Sequence, residues 1–245
     1  IHQDLLVHQL IADPYLLNNE QQAQWPAQKE WLYQTTILLT PAMLNYSQID
    51  LVFDGLDTDA EIFINGKKIA SVNNMFRVWK FNVRSLLKTG DNDLKIKFLA
   101  SEQLAALAYE KLQPKIPLDE RIMVRKAAYQ FGWDWGPRLV TAGIYKKVYL
   151  HCWDQLKIAH IQYQQLQIDT AMARLNAKVC INSLVEQDIS YQIIDSITKQ
   201  VYASSKLKVM KGQHFFTIPF SINKPKLWWC NGLGAPKLLN LTFNL

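Results

Sequence analysis

Ala60-Glu-Ile-Phe-Ile-Asn-Gly-Lys-Lys-Ile-Ala70 is the most informative local pattern in the sequence. Two short runs with the character of β-strands flank Asn65-Gly66. An Asn-Gly pair accepts positive φ at both central positions of a type I′ turn, which joins two antiparallel strands. The stretch therefore predicts a β-hairpin, and it indicates a domain built from β-strands.

Further strands are predicted on both sides of the hairpin. Residues 32–39 are rich in β-forming side chains, and residues 49–53 form a short apolar run. Within residues 94–98, three apolar residues alternate with two lysines, as expected of a half-buried strand. One more strand, near Lys147 to Trp153, is expected to close this first unit.

Two helices interrupt the strands. The first is predicted within Asp4 to Pro14, where the apolar residues have helical spacing. The second is predicted to begin at Ser101, as its N-cap, and to end before Pro114. The apolar residues at helical spacing are Leu5, Leu6, Leu10 and Ile11 in the first helix, and Leu104, Ala105, Leu107, Ala108 and Leu112 in the second.

From about Gln155 onward, short alternating strands follow one another at the spacing of a small sandwich. No long helix, no alternation of strands and helices and no internal repeat is found. We therefore predict an all-β chain of two successive sandwiches, residues 1–153 and residues 154–245. The alternating apolar residues of the second are Leu175, Ala177, Val179, Ile181, Ile189, Tyr191, Ile193, Leu207, Val209, Leu239, Leu241, Phe243 and Leu245.

Composition narrows the class of function. The chain has 245 residues, 49% of them hydrophobic and 20% charged, which is typical of a soluble globular protein. No apolar run approaches the roughly 20 residues of a membrane-spanning helix. Its net charge is +6, but the basic residues alternate with apolar ones as on solvated strand faces, which argues against nucleic acid. The first residues lack the pattern of a signal peptide, and an internal fragment is expected, since Met does not begin the chain.

Metal, cofactor and nucleophile motifs are not found. Three cysteines, Cys152, Cys180 and Cys230, are far apart, and no histidine pair has ligand spacing. No phosphate loop or nucleophile elbow is present, so neither a metal nor a cofactor is expected. The acidic residues at 54–61 are interpreted as solvated turn carboxylates, and residues 18–24, which contain Glu20, as an exposed loop.

One stretch, residues 129–137, is unlike an ordinary strand. Its sequence is Tyr-Gln-Phe-Gly-Trp-Asp-Trp-Gly-Pro, and its glycines and proline interrupt any strand ladder. The indoles of Trp133 and Trp135 are able to stack on a pyranose, and the carboxylate of Asp134 is able to accept bonds from its hydroxyls. Packing at the end of a sandwich explains the same residues equally well. The flanking basic residues Arg125, Lys126 and Arg138 are expected to hold Asp134 ionised.

At this block the sequence resembles a known family. Arg125-Lys-Ala-Ala-Tyr-Gln-Phe-Gly-Trp-Asp-Trp-Gly-Pro-Arg-Leu-Val-Thr-Ala-Gly-Ile144 is similar to a segment of the β-mannosidases of glycoside hydrolase family two. Three further stretches match in order, residues 7–25, 74–79 and 228–234, so that the resemblance covers nearly the whole chain. Exo-glucosaminidases and endo-β-mannosidases share the block less closely. The chain departs from the family pattern at Tyr145, where Trp is common, and at Cys230, where Pro is common.

The resemblance implies a jelly-roll, galactose-binding-like domain that lacks its first strand, followed by an immunoglobulin-like sandwich. In the family, a (β/α)₈ barrel with both catalytic glutamates comes next, and this chain ends before it. The implied activity is that of a retaining exo-β-mannosidase acting on terminal β-D-mannosides, periplasmic or lysosomal, with the barrel as an intramolecular partner. The chain itself is expected to hold no catalytic residue.

The resemblance also implies roles for five residues of the site. Asp134 is expected to hydrogen-bond sugar hydroxyls, and Trp133 to form part of the pocket wall. Trp135 is expected to pack under the loop, and Arg77 and Arg138 to orient it. Two alternatives stay open, a stand-alone carbohydrate-binding or adhesion module and a sister hydrolase, either an exo-glucosaminidase or a β-galactosidase-like enzyme.

Overall fold

The computed structural model describes residues 1–245, which fall into two compact units, Ile1–Cys152 and Trp153–Leu245. The first unit contains α1 (His2–Val7), α2 (Asn19–Gln22), β1 (Trp31–Leu39), β2 (Gln48–Phe53), β3 (Leu56–Asp57), β4 (Asp59–Ile64), β5 (Lys67–Asn73), β6 (Trp79–Asn82), β7 (Gly90–Phe98), α3 (Ser101–Lys111), β8 (Gly143–Ile144) and β9 (Val148–Trp153). The second contains β10 (Leu156–Ile168), β11 (Met172–Ser183), β12 (Gln187–Asp195), β13 (Val201–Val209), β14 (Gly212–Asn223) and β15 (Leu241–Asn244). None of the helices is long and apolar enough to cross a membrane.

The first unit is a β-sandwich. One antiparallel sheet has the strand order β1-β7-β4-β5, a second has the order β6-β2-β9, and β3 pairs with β8 in a small third sheet. Alternate residues of these strands enclose one apolar core, with Phe53, Ile62 and Phe98 fully buried in it. The alternating apolar residues predicted for residues 94–98 do face this core.

The hairpin prediction is confirmed. β4 pairs with β5 across Asn65 and Gly66, which have φ angles of 49° and 79°. The Asn65 amide holds the turn against the neighbouring strand, since it donates to the backbone oxygen of Leu86 and accepts from the N–H of Asp93. Its Nδ2 also lies 2.9 Å from Oδ1 of Asn92, a side chain with no exposed surface.

Both helix predictions need correction. The first helix is only His2–Val7, because Gln9 has a φ of 56° and the N–H of Leu10 bonds to the oxygen of Leu5, which closes the helix. The second helix is present at Ser101–Lys111, but Ser101 is not its cap. Its hydroxyl donates instead to Oδ2 of Asp59, 2.9 Å away.

The second unit is also a sandwich, of two three-stranded antiparallel sheets ordered β10-β11-β14 and β13-β12-β15. The alternation predicted in residues 175–181 is confirmed, since these apolar side chains form one face of the core. The last strand is shorter than predicted. It covers Leu241–Asn244, with Phe243 buried, whereas Leu239 and Leu245 are exposed.

Candidate functional site

The aromatic block forms a projecting turn in the first unit. A short 3₁₀ turn, Ala128–Phe131, leads into Gly132, which has a φ of 99°. A tight turn follows, in which the N–H of Trp133 bonds to the oxygen of Gly136 and the N–H of Gly136 bonds to the oxygen of Trp133. These N···O distances are 3.3 and 3.2 Å. Asp134 and Trp135 are therefore the two central residues at the tip.

The side chains of this turn are available to a ligand. Trp133 is 52% exposed and Trp135 is 84% exposed, with ring centroids 6.1 Å apart and ring planes at 76°. Asp134 is exposed, and its carboxylate forms no hydrogen bond or ion pair. The expectation that Trp135 packs under the loop is wrong, because its indole is even more exposed than that of Trp133.

The flanking basic residues do not hold the tip carboxylate. Lys126 is buried and bonds to Asp57, and Arg138 pairs with Glu102, so neither reaches Asp134. Arg125 is exposed, and its side chain has no hydrogen bond or ion pair. The expected pairing of these three residues with Asp134 is therefore wrong, since Lys126 and Arg138 bond to other carboxylates.

Of the two arginines expected to orient the loop, only Arg138 is bonded beside it. The N–H of Arg138 donates to Oε1 of Glu20 at 2.6 Å, and its oxygen accepts from Nε2 of Gln24 at 2.7 Å. Its guanidinium reaches Gln24 and Glu102. Arg77 has no such contact, and its guanidinium lies over the ring of Trp79, 4.5 Å from the centroid.

The segment predicted to be an exposed loop, residues 18–24, is instead part of this attachment. It contains the helix α2 and the buried residue Ala23. Glu20 and Gln24 point towards the backbone of Arg138, as their bonds to it require. Glu20 thus has a structural role in the first unit.

A buried ion pair lies at the base of the block. Nζ of Lys126 is 2.5 Å from Oδ1 of Asp57, and Nε2 of Gln130 donates to Oδ2 of Asp57 at 2.9 Å. Burial lowers the pKa of Lys126, while the charge of Asp57 acts in the opposite direction. The interpretation of the acidic stretch as solvated is therefore wrong for Asp57, which is 3% exposed, and also for Asp59, which binds Ser101.

Sequence reasoning missed this cluster. Lys126 and Gln130 are four residues apart in the stretch that leads to the turn. That spacing was the sequence feature that could have indicated a shared partner. Their partner Asp57 is 69 residues before Lys126, and nothing local in the sequence connects the two.

A cleft of about 910 Å³ lies beside the turn. Its wall contains polar groups of Asp57, Gln130 and Thr141. The aromatic residues that line it are Tyr15, Tyr129, Trp133, Trp135 and Tyr145. Aromatic walls with a few convergent polar groups are typical of ligand sites. A smaller groove of about 320 Å³ elsewhere in the first unit is lined by core residues and has no carboxylate, so the cleft is the better candidate.

Comparisons with known proteins identify the same family for both units. Residues 1–146 match the family model described as glycosyl hydrolase 2 galactose-binding domain-like, and residues 156–245 match the model of glycosyl hydrolases family 2. The chain is 33% identical over 256 residues to β-mannosidase B of Aspergillus terreus and 35% identical over 257 residues to that of Aspergillus flavus. Each match covers all of this chain but 29% of the relative.

Solved structures share the same architecture. The β-D-mannosidase of Dictyoglomus thermophilum superposes with a TM-score of 0.90 at 33% identity, over 99% of this chain and 30% of that one. The exo-chitosanase of Amycolatopsis orientalis gives a TM-score of 0.68 at 19% identity, over 99% of this chain and 28% of that one, a likeness of fold alone. The chain thus spans about 30% of the length of the relatives that it matches.

Proposed function

The chain belongs to glycosyl hydrolase family 2, and we propose that it is the N-terminal, non-catalytic part of a retaining exo-β-mannosidase. The whole enzyme would hydrolyse terminal β-D-mannosides. The relatives from two Aspergillus species and the structure from Dictyoglomus thermophilum, all named as β-mannosidases, support this choice of substrate. In this proposal the chain contributes one loop to a substrate pocket whose other parts belong to a (β/α)₈ barrel.

The observation that carries the proposal is that the side chains of the Trp133–Gly136 turn are exposed and unpaired. Two indoles and an unpaired carboxylate project from it, and neither the core nor any ion pair of the first unit uses them. Exposed aromatic groups in a cluster mark a ligand or partner site on a soluble protein. An indole face stacks on the apolar face of a pyranose, and an ionised carboxylate accepts bonds from adjacent hydroxyls.

The proposed roles follow from these positions. Asp134, at the tip, hydrogen-bonds hydroxyls of the terminal mannose. Trp133, which is half exposed and lines the cleft, forms part of the pocket wall. Trp135, the more exposed indole, also lines the cleft and contacts either sugar or the barrel in this proposal. Arg138 supports the turn from its downstream side through Glu20 and Gln24.

Asp134 is not proposed as a catalytic residue. Retaining hydrolysis uses an acid and a nucleophilic carboxylate about 5–5.5 Å apart. The carboxylate that lines the cleft is that of Asp57, which is buried and held by Lys126 and Gln130. We therefore assign both catalytic carboxylates to the barrel, and the binding of the sugar to Asp134.

The experiment is to express the full-length gene product and, separately, residues 1–245, and to assay both on aryl β-D-mannoside, β-D-glucosaminide and β-D-galactoside. We expect the full-length protein to hydrolyse the mannoside with retention of anomeric configuration, and residues 1–245 to show no turnover. Turnover of the glucosaminide or galactoside alone would move the assignment to a sister hydrolase. Absence of all three activities, with binding of mannans by residues 1–245, would identify a carbohydrate-binding module.

A further inference from the structure

Two segments flank the Trp133–Gly136 turn and are called its legs, residues 126–132 upstream and residues 137–141 downstream. Two side chains of the upstream leg bond to one carboxylate, that of Asp57, and the N–H of Ala127 donates to Sδ of Met75. Lys126 donates to one oxygen of Asp57 at 2.5 Å, and Gln130 donates to the other at 2.9 Å. Because these two donors are four residues apart, Asp57 holds the leg at two points, one before its 3₁₀ turn and one within it.

The same two side chains also hold the downstream leg. Nζ of Lys126 donates to the backbone oxygen of Thr141, and the N–H of Thr141 donates to Oε1 of Gln130 at 3.1 Å. Both backbone groups of Thr141 are thereby fastened to side chains of the upstream leg. The separation of the legs is consequently set by Lys126 and Gln130, whose own positions are set by Asp57.

Asp57 is itself placed by the sandwich. It lies in β3, opposite Gly143 of β8, and is 3% exposed. The side chain of Lys126 has no exposed surface, and Gln130 is 7% exposed. A buried charged network adds little net stability over an apolar filling of the same volume. Its geometry is nevertheless well defined, because each displaced bond would leave a charge or polar group unpaired.

We propose that Asp57 is a positioning residue for sugar binding, which through Lys126 and Gln130 holds the two legs so that Trp133 and Asp134 meet the substrate. This inference rests on the function proposed above for the turn. Asp57 and Gln130 line the same cleft as Trp133, so the network and the proposed pocket wall are directly continuous. The downstream attachment through Arg138 fixes the other leg independently.

The decisive variant is Gln130→Met, which has a similar volume and leaves the Lys126–Asp57 ion pair intact. Asp57→Asn combined with Lys126→Met is the second variant, since it removes both buried charges together. Glu30→Gln is the control, because it breaks the exposed Glu30–Lys97 pair in the same unit, outside the hairpin. All are made in residues 1–245, and their melting temperatures and amide hydrogen exchange are measured.

The amides to follow are those of Gly132, Trp133 and Gly136, whose N–H groups bond within the loop. In both test variants we expect their exchange to accelerate by about tenfold or more while residues 60–70 of the hairpin exchange as in the wild type. The control should change neither. Exchange at the turn within about twofold of the wild type in Gln130→Met would overturn the inference. Equal acceleration in the hairpin would overturn it too, because the effect would then be a general loss of stability.

Kinetics of the full-length protein provide the second measurement. On an aryl β-D-mannoside, Gln130→Met should lower kcat/KM by about tenfold or more, with the larger share in KM, and Glu30→Gln should not. An unchanged kcat/KM in an active enzyme would count against the positioning role. If the wild type has no mannosidase activity, the proposed function fails while hydrogen exchange still decides whether Asp57 positions the turn.

Discussion

Lys126 and Asp57, 69 residues apart in sequence, form an ion pair in which both side chains are no more than 4% exposed. Three other groups complete it, those of Thr58, Gln130 and Thr141. The pair joins a strand of the sandwich to the base of the aromatic turn. Loss of one partner alone should therefore affect both the stability of the first unit and the order of the turn.

Replacing one partner of this pair should be far more damaging than replacing both. Asp57→Asn leaves Lys126 as an uncompensated buried charge, and we expect it to lower the free energy of unfolding of the first unit by about 3–5 kcal/mol. The double variant Asp57→Asn/Lys126→Met should be destabilised less than Asp57→Asn alone. Urea unfolding is measured for the wild type, for Asp57→Asn, for Lys126→Met and for the double variant. A loss in the double variant equal to the sum of the two single losses would show that the two charges are not coupled.

Asp134→Ala should reduce activity without reducing stability. Its carboxylate has no partner in the chain, so the melting temperature of residues 1–245 should stay unchanged. In the full-length enzyme we expect kcat/KM on an aryl β-D-mannoside to fall by about a hundredfold, equivalent to about 2.7 kcal/mol of transition-state stabilisation. Asp91→Ala, which removes another exposed carboxylate of the first unit, is the control. An unchanged kcat/KM in Asp134→Ala would indicate that the turn has a packing role instead.

Asp59 should make the first unit more stable in mild acid. Burial raises its pKa above the ordinary value of 3.8, against the smaller opposite effect of the bond from Ser101. The folded state therefore binds the proton first as pH falls. The resulting stabilisation is complete below 3.8 and is lost as pH rises through the raised pKa.

The matching measurement compares urea midpoints of the wild type and Asp59→Asn between neutral pH and about pH 3.5. We expect the wild type to gain stability relative to the variant as pH is lowered. A difference that is constant with pH, or one that moves in the opposite direction, would show that Asp59 titrates normally in the fold.

Gly66→Ala should destabilise the hairpin through backbone strain alone. A Cβ atom at Gly66 would meet nothing within 4 Å, but the φ of 79° is unfavourable for any residue with a side chain. We expect a loss of about 1–2 kcal/mol in the free energy of unfolding. Lys67→Ala, at the exposed neighbouring position, should change it by less than about 0.5 kcal/mol. Similar values for the two variants would contradict the type I′ turn.

Local signals explain which elements were predictable. The hairpin at Asn65-Gly66 and the alternating strand at residues 94–98 are determined by turn chemistry and by a period of two, and both are present as expected. The predicted first helix is longer than the observed one, because apolar spacing does not reveal that Gln9 takes a positive φ. The cap at Ser101 was wrong because its hydroxyl is used by Asp59, a distant residue.

The candidate site was predictable only in its composition. Trp133, Asp134 and Trp135 were selected by residue type, and they do lie together on one turn. Which of the two indoles is more exposed depends on the direction of the turn, and sequence does not give that direction. The partners of Lys126 were missed because an ion pair across 69 residues leaves no local pattern.

The turn that carries Asp134 and Trp135 is closed by backbone bonds between Trp133 and Gly136. Nothing in the sandwich depends on the identity of the two tip side chains. In the proposed pocket, their replacement would therefore change recognition without a penalty in folding. A library restricted to residues 134 and 135 would be a compact route to altered sugar preference on an unchanged scaffold.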